Sequence, residues 1–81
     1  MELEKLENEL EKAISKFNSL NLSTEHKLKL RAESDYFFEF NEVGDIKVNY
    51  FSISITKDPK AKLRFFLNLV NKANRVATSS Y

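Results

Sequence analysis

Ile46 to Thr56 reads IKVNYFSISIT, and the reading of this stretch decides the fold. Up to Tyr50 the apolar positions are even (Ile46, Val48, Tyr50); from Phe51 they are odd (Phe51, Ile53, Ile55). Alternation of this kind predicts a strand over about 46–56, because successive strand side chains point to opposite faces. The change of parity sends the second half to the other face. Either a β-bulge at Tyr50 and Phe51 re-aims it into the same core, or Phe37, Phe51, Ile53 and Ile55 form an apolar patch on the reverse face, covered by a helix or by another protein.

Upstream, the period of two continues. Tyr36, Phe38 and Phe40 alternate with Phe37, Glu39 and Asn41, predicting a strand over about 36–42. Leu28, Leu30 and Ala32 alternate with Lys27, Lys29, Arg31 and Glu33, predicting one over about 27–33. In that stretch Leu, Lys, Arg, Ala and Glu favour helix instead, and Ser23 or Thr24 could cap one. Three-residue loops keep the apolar residues on one face. A loop of Glu33, Ser34 and Asp35 sets Leu30 opposite Phe38 and Lys29 opposite Glu39. A loop of Val43, Gly44 and Asp45 sets Phe40 opposite Val48 and Phe38 opposite Tyr50, with Gly44 or Asp45 taking the positive φ.

Helices flank this meander. Leu3, Leu6, Leu10, Ala13, Phe17 and Leu20 recur every three or four residues and Ile14 widens the stripe, so about 2–19 is an amphipathic helix. Asp58 followed by Pro59 starts another, with Asp as N-cap and Pro where a missing N–H does no harm. It runs to about Val76 with an apolar arc wide enough for two neighbours, leaving 77–81 as a frayed tail. The expected architecture is a single α+β domain over 1–81, ordered α-β-β-β-α, with a three-stranded antiparallel meander packed against helices.

The 81 residues are 42% hydrophobic and 31% charged, too apolar for disorder and without a continuous apolar span. With no cysteine there is no disulfide framework or thiolate chemistry. One glycine leaves no Gly-rich phosphate loop, which excludes Rossmann and P-loop chemistry. The acidic start, Glu2 and Glu4 around Lys5, contains no apolar signal segment, and a cytoplasmic location is expected. Net charge is +1 but bipolar: residues 1–26 hold six acids against three bases, residues 27–81 ten bases against six acids. The acidic first helix can therefore pair with the basic last one, or a basic face can meet an anionic partner.

Catalytic signals are sparse. His26 is the sole histidine, without metal-ligand spacing around Glu25 and Thr24 and without a nucleophile elbow, so no metal, cofactor or triad is expected. Glu39 and Glu42 could do acid–base work only inside a cleft. The expected function is therefore non-enzymatic: steric binding of a partner protein, or self-association. The anchors would be Phe37, Phe51, Ile53 and Ile55, with Arg31 and Lys29 at the rim. Small size and richness in Lys, Asn, Phe and Ile would suit a phage or mobile-element accessory protein, such as an inhibitor of a host enzyme. The alternative is nucleic-acid binding by a stripe on the last helix, Arg64, Asn68, Asn71 and Arg75, flanked by Lys60 and Lys72.

The α-β-β-β-α order, with Lys57, Lys60 and Lys62 opening the last helix, resembles the layout of double-stranded RNA-binding domains. That likeness would imply RNA binding, but it stops at layout. Glu33, Ser34 and Asp35 stand where that family has a Gly-Pro-x-His loop. Asp58 and Pro59 interrupt its lysine run, and Glu2, Glu4, Glu7, Glu9 and Glu11 line a helix that would have to approach phosphate. No family is assigned on it.

Overall fold

A computed structural model describes residues 2–20, 24–34 and 37–79. Helix α1 spans Glu2–Ser19 and α2 spans Thr24–Ser34. Strands β1 (Phe38–Phe40) and β2 (Ile46–Val48) follow, then a short helix α3 (Tyr50–Ser54) and the long α4 (Pro59–Ser79). The fold is α+β, mostly helical, with one two-stranded antiparallel sheet.

Helix α1 forms where its apolar spacing predicts, and buries Leu6, Leu10, Ala13, Ile14 and Phe17. Its main partner is α4, which contributes Leu63, Phe66 and Val70 to the same core. The two helices run parallel. Glu2 meets Lys60 and Arg64 at one end, sequence separations of 58 and 62, and Asn74 Nδ2 donates to the Ala13 carbonyl further along, a separation of 61. Asp58 caps α4 by accepting the Ala61 N–H at 3.1 Å, with Pro59 in the first position. The helix continues to Ser79, so residues 77–79 are helical rather than a tail.

Residues 27–33 are helical, not a strand, and the three-stranded meander is a two-stranded hairpin. Here helix propensity outweighs alternation. A spacing of two places side chains about 200° apart on a helix, so α2 buries Leu30 and leaves Leu28 and Ala32 exposed. The second strand is shorter than 36–42, and its expected N-terminal residue Tyr36 lies outside the described residues. So does Asp35 of the expected first loop.

The hairpin pairs Phe38 with Val48, Glu39 with Lys47 and Phe40 with Ile46. The register expected from a three-residue loop is off by two. An even slip preserves the apolar face, so Phe38 and Phe40 still pair with Val48 and Ile46 on one side of the hairpin. The connection is five residues long because Asn41 organises it. Its Oδ1 accepts the N–H of Val43 (3.0 Å) and of Asp45 (2.9 Å), and Gly44 takes a φ of +87°. Glu39 consequently faces Lys47 rather than Lys29.

Past Val48 the chain leaves the sheet. Asn49 donates the last ladder bond to the Phe37 carbonyl (2.8 Å), and its side chain then caps α3 by accepting the Ser52 N–H (3.2 Å). Ser54 and Thr56 hydroxyls donate to the carbonyls of Phe51 and Ile53, local bonds that compete with a strand ladder. The expected strand over 46–56 is thus β2 plus a helical turn. That turn explains the change of parity without a bulge: Ile53 points into the core, while Phe51 and Ile55, four residues apart, share the outer side.

One further contact pins the hairpin to α1. The Asn18 amide donates to the Ile46 carbonyl at 3.0 Å and accepts the Ile46 N–H at 2.8 Å, so a side chain takes the place of a neighbouring strand on β2. Asn18→Ala is expected to cost about 1–3 kcal/mol by leaving that half-buried backbone pair unsatisfied, read as a lower urea midpoint with an unchanged m-value. Ile53→Ala is expected to cost about 2–5 kcal/mol, and Ile53→Lys to abolish cooperative unfolding, because the ammonium would enter a dry core.

Candidate functional site

The six side chains expected to form a partner-binding patch separate in the fold. Phe37 is buried against Phe66 with ring centroids 5.3 Å apart, under the Lys62 ammonium at 5.2 Å. Ile53 is likewise core, so neither is exposed as an anchor. Arg31 lies over the Phe40 ring, 5.6 Å from its centroid. Lys29 lines a groove of about 270 Å³ between α2 and α4, with Leu30, Glu33, Leu69, Lys72 and Ala73 among its walls.

Phe51 and Ile55 remain outside, 74% and 69% exposed. Ile55 adjoins, through Thr56, a groove of about 380 Å³ lined by Lys57, Asp58, Ala61, Lys62 and Phe65. Phe65 is 52% exposed and edge-on to the buried Phe66 at 5.3 Å. Phe65 belongs to the wide apolar arc expected of α4, and its exposure is not among the sequence expectations. Its only signal was its place at the margin of an arc too wide for one neighbour.

The basic stripe of α4 is also divided. Glu2 of α1 forms ion pairs with Lys60 at 3.4 Å and with Arg64. The acidic first helix does therefore meet the basic last one, at the N-terminal end of both. The first turn of α4 carries no acid of its own, and Glu2 supplies negative charge beside that positive helix end. The Arg64 hydrogen bond, then that of Lys60, holds the Glu2 carboxyl below the usual carboxylate range. Asn68, Asn71, Lys72 and Arg75 lie further along α4 and are exposed.

Tyr50 bridges the hairpin side to α1 by donating its hydroxyl to Glu11. Burial first, then that hydrogen bond and the charges of Glu11 and Glu7, pushes its phenol well above the ordinary tyrosine value. Glu39 and Glu42 stand exposed on the hairpin. His26 falls within α2, and its side chain lies outside what is described. Among the described residues no three His, Asp or Glu side chains form a metal-binding group, and no helix is long and apolar enough to cross a membrane.

The layout α-α-β-β-α-α differs from that of double-stranded RNA-binding domains, because residues 27–33 are helical. No protein-family model matches the chain, and neither a curated protein nor a solved structure matches it.

Glu2→Gln tests the ion-pair junction. A carboxyl with a lowered pKa stabilises the fold above the ordinary carboxylate range and loses that contribution as pH falls through its lowered value. The variant should melt slightly below wild type at neutral pH and low salt. The gap should close on acidification and on adding salt, both followed by thermal denaturation.

Proposed function

We propose that this chain is a non-enzymatic binding module that acts sterically, docking a partner protein on the exposed apolar side chains Phe51 and Ile55. The observation that carries the reading is the exposure of Phe51 and Ile55 on one side of α3. Two large apolar side chains are held outward there by a turn whose third, Ile53, is locked in the core. Such a turn presents its anchors with little ordering left to do on binding, and aromatic anchors of this kind dominate interface energetics. Lys57, Asp58 and Lys62 supply the polar rim around the adjoining groove. Self-association through the same patch is the form this reading takes if the partner is a second copy. A basic stripe along the whole of α4 ranks second as a function, since Glu2 already engages Lys60 and Arg64.

Phe51→Lys combined with Ile55→Lys should leave the far-UV spectrum and melting temperature near wild type, because neither side chain is core. The paired experiment is affinity capture from lysate of the source cells, with sedimentation velocity of the protein alone. The reading expects a captured partner, or a dimer, that wild type retains and the double variant loses. A variant that folds and still captures the same proteins at the same yield overturns it.

A further inference from the structure

The segment that carries Phe51 and Ile55 lies between an acidic end and a basic one. At its start the Tyr50 hydroxyl donates to Glu11, and Glu7, one turn earlier on α1, acts on the same phenol through its charge. At its other end Lys57 is exposed, and Pro59 opens α4, whose Lys60 and Arg64 meet Glu2. From Tyr50 to Pro59 the chain therefore descends from the level of Glu11 to that of Glu2, a distance of about 14 Å along the α1 axis. Phe51 and Ile55 face outward along this descent. Neither Glu7 nor Lys57 has an ion-pair partner among the described residues. Asp58, beside Lys57, is turned to the start of α4, where its Oδ1 accepts the Ala61 N–H.

We infer that the partner docked on Phe51 and Ile55 is a second copy of this chain, joined about a two-fold axis that passes between the two side chains. The inference rests on the docking reading and gives its partner an identity. Three features favour a copy over an unrelated protein. The surface is self-complementary: a two-fold apposition runs the two segments antiparallel and sets Lys57 of each copy against Glu7 and Glu11 of the other, as an isologous contact requires. Its centre is free of charge, since residues 51–56 contain no ionisable side chain, so the apolar pairs can meet without burying an unpaired ion. A net charge of +1 is too small to hold two copies apart.

The test is sedimentation velocity of the full chain at low salt from about 10 μM to about 1 mM, the range suited to a small interface with few anchors. Wild type should pass from monomer to dimer, and Phe51→Lys with Ile55→Lys should stay monomeric throughout. Lys57→Glu should raise the dissociation constant by about tenfold, because two attractive contacts per dimer become repulsive. Glu7→Lys with Glu11→Lys should do the same, and its introduced ammonium can still donate to the Tyr50 oxygen. An equimolar mixture of these two charge variants should recover association to within about threefold of wild type, since each then meets the opposite sign. Circular dichroism checks that each variant folds; if the α1 variant does not, Lys57→Glu alone decides the charge contact. A dimer that survives Phe51→Lys with Ile55→Lys, or is unmoved by Lys57→Glu, overturns the inference, as does a mixture of folded variants that fails to associate. Wild type that stays monomeric at every concentration overturns it too, but leaves the docking reading to affinity capture of a different protein, so the two fail separately.

Discussion

Parallel packing of α1 on α4 is the constraint from which the rest of the structure follows. Phe17 and Leu10 from one helix and Phe66, Leu63 and Val70 from the other are almost wholly removed from water, and they form the centre of the core. Antiparallel helices can be joined by a short loop; parallel ones cannot, because the chain must return the length of a helix, about 27 Å for the 18 residues of α1. The segment between Ser19 and Pro59 makes that return, and α2, the hairpin and α3 are formed along it. Each is tied back to the pair: α2 and α3 pack on α4, and β2 is held to α1 by the Asn18 amide.

Parallel packing also sets the electrostatics. Two positive helix ends lie side by side at Glu2, and two negative ends lie at the other extreme. Within α1, charge of the opposite sign collects at each end, with Glu2 and Glu4 in the first turn and Lys16 in the last; α4 has no such charge in its terminal turns, and Glu2 supplies it at the N-terminal end. The bipolar charge distribution of the chain is thus partly an internal arrangement. Glu2 draws Lys60 and Arg64 into it.

The hairpin and α3 show how local chemistry can outweigh hydrophobic alternation. From Ile46 to Ile55 every other residue is apolar apart from one parity change, yet the ladder ends at Asn49. That residue both closes the strand pair and caps the next helix, and the hydroxyls of Ser54 and Thr56 satisfy nearby carbonyls that a third strand turn would have left to a neighbour. The same ambiguity between periods two and 3.6 holds for 27–33, which are helical. There the residues have helical propensity, and the one apolar side chain buried, Leu30, satisfies either pattern.

From the sequence alone came the elements whose causes are local: α1 from its three-four spacing, the start of α4 from Asp58 and Pro59, and a hairpin turning at Gly44. These depend on side chains within one turn of each other, so neighbouring residues suffice to specify them. Tertiary structure decided the rest. Whether Phe51, Ile53 and Ile55 are core or surface depends on where α4 lies. Whether Lys60 and Arg64 are available depends on contacts spanning about sixty residues. Burial and charge pairing are properties of chain segments brought together by the fold, and the same residues on helices packed antiparallel would have presented different surfaces.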